Sequence, residues 1–527
     1  MKKVLISDSM SSEAVEIFKK AEGIQVDVIT NLTPDELKAV IKEYDGLAVR
    51  SSTKVTKEIL EAATNLKVIG RAGAGLDNVD IAEASKRGIV VMNTPGGNTV
   101  TTAEHALAMM MAMARKIPQA TASMKAGKWE KSKFMGNELS NKTLGIIGIG
   151  RVGGVVADRA QGLKMNVLAY DPFISPEAAA ESGINLVPLD ELLAKSDFIS
   201  LHSPMTKETK NMINAQAFAK MKKGVFIINC ARGGIVNEKD LADAIVAGKV
   251  AGAALDVFEE EPTKNHELVA LDQVIATPHL GASTDEAQVS VAIAIAEQIV
   301  DYLTKGEIRN AFNFPSVSAE LMTVLGPYMT LGEQLGKFQA QIVSGGIREV
   351  NIEYGGEILN YDIAPVTISL LKGLMKPILN EDVNDINAPI IAKERGIRVV
   401  ESKSNRVEDY ASLITLTVKT ANEASVTAGT LFGKKDPRIV RVNKFTLDVI
   451  PEGHMLVLSN YDKPGVVGNI GTILGENNIN IARLHLSREQ VDQQALVVLS
   501  TDSMVNEEIL EKLRSLPHVI AVTYLEM

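Results

Sequence analysis

Cysteine is nearly missing from this chain: Cys230 stands alone in 527 residues, so neither an intrachain disulfide framework nor a cysteine-cluster metal site can form. That usage fits a reducing compartment, and the expected location is cytoplasmic. Aromatic residues are scarce too, at 4% with one tryptophan, while 46% apolar and 23% charged residues give the balance of an ordinary globular chain. An excess of basic charge is lacking. Lys plus Arg total 55 against 65 Asp plus Glu, a formal charge of -10, which argues against a broad nucleic-acid surface but leaves room for local anion pockets. No uninterrupted apolar run approaches the roughly 20 residues that span a bilayer. The opening Met1-Lys2-Lys3-Val4-Leu5-Ile6-Ser7-Asp8 turns polar before a secretory core develops. Neither nucleic acid, membrane nor metal is an expected partner.

What is present has length for roughly three or four domains. Short apolar runs at 4–6, 26–29, 47–49, 68–69 and 90–92 alternate with Ala, Glu and Lys-rich helical stretches, the rhythm of a parallel sheet. A second series begins at Leu144 and returns at 167–170, 198–201, 225–228, 253–257 and 274–276, so two sheets are expected. Thr101 to Ile117, with its stripe of methionines, reads as a buried connecting helix or a subunit contact. The Ala/Ile/Val-rich stretch Ala287 to Leu303 reads as a helix that returns the chain to the first sheet. Mixed helix and strand signals follow from about Ser318 to Pro451, without a legible topology. The tail, from Met455 to Leu525, reads βαββαβ, a ferredoxin-like unit. Its open sheet face needs cover, which favours pairing of tails between subunits.

Gly148-Ile149-Gly150-Arg151-Val152-Gly153 follows an apolar strand and opens a helix. Glycines there permit a tight turn and bring backbone N–H groups to a pyrophosphate at the positive helix end. Asp171, at the end of the next strand, suits the ribose hydroxyls and repels a ribose phosphate, which points to NAD over NADP. Arg151 suits a phosphate contact, with a surface ion pair as the plain alternative.

Three further loops follow strands of the second series. Arg232, in Asn229-Cys230-Ala231-Arg232-Gly233-Gly234, carries a donor fork for a planar carboxylate, or else a structural ion pair. Cys230 reads as a lining residue, not a nucleophile. His279, in Thr277-Pro278-His279-Leu280-Gly281, can take an alcohol proton if a carboxylate holds its tautomer. The residues alone do not choose among Glu259, Glu260 and Glu261 for that carboxylate. In the first series, Arg50 with Ser51 and Arg71 with Gly73 follow strands and could converge on an anion, while Asn98 is either a polar donor or a helix cap. Lys131 and Lys133 beside Trp129 form a basic rim or a solvated helix end. Lys434, Lys435, Arg438, Arg441 and Lys444 form a second basic group, equally well explained as solvent-facing charge.

In this order the motifs resemble the D-isomer-specific 2-hydroxyacid dehydrogenase family, in its long form, over essentially the whole chain. Residues 148–154, 229–237, 256–262 and 277–284 carry the resemblance, supported by 70–80 and by a tail similar to an ACT domain. It implies an α/β fold of two Rossmann-like lobes, then an α+β intervening domain and a ferredoxin-like ACT domain. The implied substrate lobe is discontinuous, 1–97 with 287–317; the NAD lobe is 98–286, the intervening domain 318–451 and the ACT domain 452–527. The implied reaction is reversible NAD-dependent oxidation of D-3-phosphoglycerate to 3-phosphohydroxypyruvate, the entry to phosphorylated serine biosynthesis.

By the same resemblance His279 is the acid/base, Glu261 its partner, chosen by the Glu-Pro pair, and Arg232 the clamp on the substrate carboxylate. Gly148, Gly150, Arg151, Val152, Gly153 and Asp171 belong to the cofactor, as do Cys230, Ala231, Asp256, His279 and Gly281. Arg50, Ser51, Arg71, Gly73, Asn98, Arg232 and His279 face substrate, and Lys131 approaches a neighbouring subunit's pocket. Lysine stands there where the family often has arginine, which keeps charge but loses the bidentate fork. Asn460, Asp462 and Asn480 are the implied contacts of a serine effector between paired tails, and the implied assembly is a homotetramer, a dimer of dimers. Two other readings compete: another D-2-hydroxyacid oxidoreductase, such as a glyoxylate/hydroxypyruvate reductase, and a nucleotide-responsive binding protein that has lost turnover.

Overall fold

Strands that are apolar on both faces build the first sheet: β1 (Lys2–Ile6), β2 (Ile24–Val28), β3 (Gly46–Val49), β4 (Val68–Arg71) and β5 (Val90–Met92). All pair in parallel in the order β2-β1-β3-β4-β5. Val4, Ile6, Val68 and Val90 point to one core and Leu5, Leu47, Ile69 and Val91 to another, so the runs read as continuously hydrophobic because both faces are covered. These are properties of the computed structural model, which describes residues 1–263, 267–315, 319–379, 382–404, 407, 409–488 and 493–527. The expected boundary at 317/318 lies outside the described residues.

The second sheet holds β6 (Thr143–Ile147), β7 (Asn166–Tyr170), β8 (Asn185–Leu186), β9 (Phe198–Leu201), β10 (Val225–Asn229), β11 (Val250–Leu255) and β12 (Val274–Ala276). It is parallel, in the order β12-β11-β10-β9-β6-β7-β8. The chain starts in the middle, runs outward one way and then returns to run the other way, so a crevice opens between the carboxyl ends of β6 and β9. Strand β8 was not anticipated, since two residues are too few for a periodic signal.

Two helices join the lobes. The first spans Thr99–Ala114, not Thr101 to Ile117: Lys116 turns left-handed at φ 52° and Pro118 opens a separate helix, Ile117–Lys125. Its buried Ala103, Ala106, Met109, Met110 and Met113 pack in the nucleotide-lobe core with Ile146 and Val156. The second, Asp285–Lys305, lays Val291, Ile295 and Ile299 into the core of the first sheet.

The central region forms a mixed sheet from β13 (Glu349–Gly356), β14 (Arg398–Ser404), β15 (Ser412–Lys419), β16 (Ala424–Phe432), β17 (Asp436–Val442) and β18 (Phe445–Val449), ordered β14-β13-β15-β16-β17-β18. Helices Ala319–Ile342 and Ala364–Met375 supply its core. Ile386 reaches the core of the first lobe, and Asn384 Nδ2 donates to Gly88 O at 2.9 Å, so the central region is seated on that lobe.

The tail is the antiparallel sheet β20 (Ile481–Arg488), β21 (Gln494–Thr501), β19 (His454–Tyr461), β22 (Val519–Glu526), in that spatial order, with helices Val466–Glu476 and Glu507–Arg514 on one face. Its other face corrects an expectation. Met455, Val457, Leu496, Val498 and Leu525 are buried in the core of the central region, so the cover comes from the same chain and does not require a second tail. Among the described residues no helix is long and apolar enough to cross a membrane.

Candidate active site

A cleft of about 240 Å³ lies at the carboxyl ends of β6, β9, β10, β11 and β12, lined among others by Asn98, Val152, Ser203, Arg232 and His279. Gly148 follows β6 with φ 89°, and a Cβ there would sit 2.9 Å from the His202–Ser203 backbone. A Cβ on Gly153 would meet Gly148 O at 2.0 Å, so strand and helix close tightly. Space is open around Gly150, where the helix Arg151–Gly162 begins with its donors free of a side-chain cap. Arg151 is exposed at that helix start.

Asp171 accepts from Ile149 N–H at 3.0 Å and Phe173 N–H at 2.9 Å, which fixes the carboxylate while each oxygen keeps a second lone pair for a ribose hydroxyl. Ser203 was not anticipated: its buried Oγ has no partner, an orphan that a polar ligand in the crevice would satisfy. Neighbouring His202 bonds Ser200 Oγ at 2.8 Å, and burial lowers its pKa to about 4, so it stays neutral. Cys230 is buried in the wall, and burial pushes its thiol upward, away from thiolate reactivity. The open glycine turn, the orphan hydroxyl and the oriented carboxylate fit a dinucleotide.

The loop that carries His279 is folded around one carboxylate. Asp256 is fully buried and accepts from Thr277 Oγ1 at 2.6 Å, Leu280 N–H at 2.7 Å and Gly281 N–H at 2.8 Å, while its carbonyl takes His279 N–H at 3.0 Å. Burial works to raise its pKa, but a bond from His105, whose Nε2 lies 3.2 Å from Oδ1, and those of Thr277, Leu280 and Gly281 outweigh burial and keep it low. This cage holds His279 at φ 54°, a left-handed conformation that costs a non-glycine residue on the order of 1–3 kcal/mol.

His279 Nδ1 lies 2.7 Å from Glu261 Oε2, and Glu261 Oε1 accepts Phe258 N–H at 3.0 Å. Of the three glutamates left open by the residue pattern, Glu261 is the one that meets the imidazole. Glu259 N–H bonds Glu238 Oε1 at 2.6 Å, and Glu260 is exposed. The Glu261 hydrogen bond raises the pKa of His279 against burial. Burial in turn would raise Glu261, but the bonds from His279 and Phe258 N–H pull it below its ordinary value. With Nδ1 engaged, Nε2 is the nitrogen left for chemistry.

Arg232 is set by buried Asn229, which donates to Arg232 O at 3.0 Å and accepts Ala231 N–H at 3.1 Å. Its Nη1 donates to Ala231 O at 2.7 Å, and its Nε faces Asp77 Oδ2 across the cleft at 3.3 Å. Arg71 lies beneath Gly73, where a Cβ would be 2.0 Å from Nη1; Gly73 itself has φ 145°. Arg71 Nε is buried without a partner, and burial together with Arg232 and Arg50 lowers its pKa. Arg50 N–H bonds Asp8 Oδ2 at 2.6 Å and its Nη1 bonds Ser9 O at 3.1 Å, with Ser51 exposed beside it. Asn78, not anticipated, clasps this loop through Arg50 O and Thr53 O, both at 2.7 Å. Asn98 makes no side-chain cap bond to the helix it precedes and lines the cleft.

Other expected residues lie elsewhere. Lys131 is on an arm with Trp129 and Met124, lining a separate depression. Asn460 is buried with Oδ1 unpartnered, and Asp462 accepts from Arg488 Nη1 at 3.0 Å. Asn480 is not brought to them. It precedes β20, whose first residue pairs with Thr501 and hence with His454, whereas Asn460 pairs with Ala495 at the opposite end, and it bonds Asp502 Oδ2 at 2.7 Å.

Residues 107–281 match the D-isomer specific 2-hydroxyacid dehydrogenase NAD binding domain, 324–443 the D-3-phosphoglycerate dehydrogenase intervening domain and 454–518 the ACT domain. The chain is 47% identical to the D-3-phosphoglycerate dehydrogenase of Archaeoglobus fulgidus, with 100% of both chains covered. It is 39% identical to that of Bacillus subtilis, again over 100% of each. Among solved structures, D-lactate dehydrogenase of Aquifex aeolicus complexed with NAD and lactic acid matches 60% of this chain and 100% of its own, at 30% identity and a TM-score of 0.53.

Proposed function

The chain belongs to the D-isomer specific 2-hydroxyacid dehydrogenase family, in its D-3-phosphoglycerate dehydrogenase form, and from that premise we propose the reaction and the part each residue plays. The reaction is the oxidation of D-3-phosphoglycerate to 3-phosphohydroxypyruvate, which opens serine biosynthesis, and it runs in reverse with the same groups. One observation carries this reading: His279, bonded to Glu261 at its Nδ1, and Arg232 line one cleft at the end of the nucleotide sheet.

NAD is the cofactor and, when bound, supplies the hydride acceptor that no side chain of the cleft can provide. Residues 148–153 and Asp171 would hold it. Arg232 binds the substrate carboxylate and orients C2. His279 Nε2 takes the C2 hydroxyl proton as the carbonyl forms, and Glu261 at Nδ1 supports the imidazolium that results; in reduction His279 returns the proton. The arginines at 50 and 71 receive the distal phosphate, and buried Arg71 Nε, partnerless, is the donor that phosphate would satisfy. That positive pair favours phosphoglycerate over the substrate of a glyoxylate/hydroxypyruvate reductase.

The division into a discontinuous substrate lobe, nucleotide lobe, intervening domain and ACT domain belongs to the same reading, as does a cytoplasmic location. A homotetramer built from dimers is supported by the arm, where Trp129 is 82%, Met135 77% and Met124 55% exposed. Serine is the effector we assign to the ACT domain. Asn460 and Asp462 would contact it from one copy and Asn480 from a second, since one chain holds them apart.

An NADH-linked assay of the purified protein against D-3-phosphoglycerate, D-glycerate and other D-2-hydroxyacids, with product identification, tests the reading. Preferred turnover of the phosphorylated acid is expected; efficient turnover of another acid alone replaces the substrate, and no hydride transfer at all points to a binding protein. Serine that binds without slowing turnover removes the regulatory role and keeps the ligand.

A further inference from the structure

The helix Thr99–Ala114 does more than link the lobes. On one face, at helical spacing, Thr101, His105 and Met109 all reach the loop that carries His279. Thr101 Oγ1 is 3.4 Å from Thr284 Oγ1, and neighbouring Thr102 donates to Gly281 O at 3.0 Å. His105 Nε2 lies 3.2 Å from Asp256 Oδ1 and 3.1 Å from Thr277 Oγ1, while Met109 Sδ is 3.9 Å from the same hydroxyl.

The proton positions follow from counting donors. Thr277 has one hydroxyl proton, and at 2.6 Å it is committed to Asp256 Oδ1. Toward His105 the threonine oxygen therefore offers only a lone pair, and Asp256 offers only carboxylate oxygen. Both neighbours of His105 Nε2 are acceptors, so Nε2 carries the proton and is shared between them. Asp256 is in turn the hub on which three consecutive N–H groups converge: that of His279 on its carbonyl, those of Leu280 and Gly281 on its carboxylate. A left-handed His279 persists only where its surroundings over-determine it. Among the described residues His105 is the one donor to this hub that comes from outside the strand-end loops, on a helix whose first turn begins beside Asn98 at the cleft.

We propose that His105 is a positioning residue for the hydride-transfer reaction: its Nε2–H, bonded to Asp256 Oδ1 and Thr277 Oγ1, fixes the Asp256-centred turn that presents His279, and ties that turn to the helix joining the two lobes. It touches no substrate in this assignment. It acts through Asp256, and the assignment rests on His279 being the acid/base of the reaction proposed above.

The test uses the full-length enzyme with three substitutions. His105→Leu removes the donor at similar volume, His105→Gln restores an amide donor near the place of Nε2, and His105→Asn keeps a polar amide too short to reach it. For Leu and Asn, kcat is expected to fall about 10- to 100-fold with KM for the hydroxy acid changed less than about threefold; Gln is expected to recover to within about threefold of the parent. Nucleotide binding, read by NADH fluorescence, should remain in all three. Parental kcat in the Leu and Asn variants, or equal loss in Gln and Leu, overturns the proposal. Should the Leu variant not fold, the Gln and Asn pair decides alone, since both are polar and differ in reach. Absence of turnover in the parent enzyme would instead strike the functional reading.

Discussion

Two groups of basic residues stand out in this chain, and they behave differently. Arg232 lines the cleft, and Arg71 and Arg50 lie close enough for their charges to act on one another, with Arg71 Nε buried and partnerless and its charge disfavoured by burial and by the other two. In the central region the charges are dispersed among neighbours. Lys434 lies 3.7 Å from Glu357, Arg438 3.6 Å from Asp448 and over the ring of Phe432, Arg441 Nη2 3.4 Å from Thr415 Oγ1, and Lys444 over the ring of Phe445. Arg438 Nε is, like Arg71 Nε, buried without a hydrogen-bond partner, so an orphan donor does not separate the two groups. What does is that Arg232 and Arg50 disfavour the charge of Arg71, whereas Lys434, Arg438, Arg441 and Lys444 each face a carboxylate, hydroxyl or ring of their own. Convergence of like charges, not basic character, marks a candidate site.

The comparison can be broken first at the His279–Glu261 pair. His279→Ala should lower kcat by about a thousandfold or more while NADH still binds, because in the proposed mechanism the proton acceptor is lost and the nucleotide turn is untouched. Near-parental turnover there would remove the cleft's chemistry. Glu261→Gln should cost about a hundredfold. It should also shift the pH profile. In the proposed role alcohol oxidation needs neutral His279, and the Glu261 bond raises that pKa, so the rate should fall as pH drops through a value above that of an ordinary imidazole. In the Gln variant this acid limb of kcat/KM should move to lower pH; a limb that stays in place would show that the carboxylate does not set it.

Arg71→Ala sharpens the contrast between the basic groups. The preference for D-3-phosphoglycerate over unphosphorylated D-glycerate, measured as a ratio of kcat/KM values, should fall about 10- to 100-fold, the worth of a hydrogen bond to a charged group. An unchanged ratio would place the phosphate elsewhere. The smallest effect is expected from Lys434→Ala with Lys435→Ala, where exposed charges contribute little: turnover should stay within about twofold and Tm within a few degrees. A large loss in either would mean that the central surface holds a site after all.

Much of the nucleotide lobe was readable in advance because its signals are local. An apolar strand, a glycine turn and an acid at the next strand end lie within a short span, and each has its own physical reason. The loops at Arg232 and His279 were readable for the same reason, each following a strand. Which glutamate partners His279 was not readable from charge alone, since Glu259, Glu260 and Glu261 are adjacent and only the fold turns Glu261 toward the ring. The residues that went unread, Asn78, Ser203 and His105, carry no local pattern. A lone serine, asparagine or helical histidine acquires meaning only when strands distant in sequence deliver its partner.

The tail shows the same limit. Its βαββαβ order was legible, yet the cover of its open face and the separation of Asn480 from Asn460 follow from packing and antiparallel register. By itself, then, the sequence determined the alternation of elements, the nucleotide turn and the stock of arginines, glutamates and histidines at strand ends, because these depend on short-range sterics and hydrophobic periodicity. The family resemblance named Glu261 through its Glu-Pro pair, but tertiary structure alone decided that Glu261 turns toward the ring, that Asp256 binds the loop around His279, and that the tail packs on its own chain. Each of those depends on distances between residues far apart in the chain, and local propensity does not encode such distances.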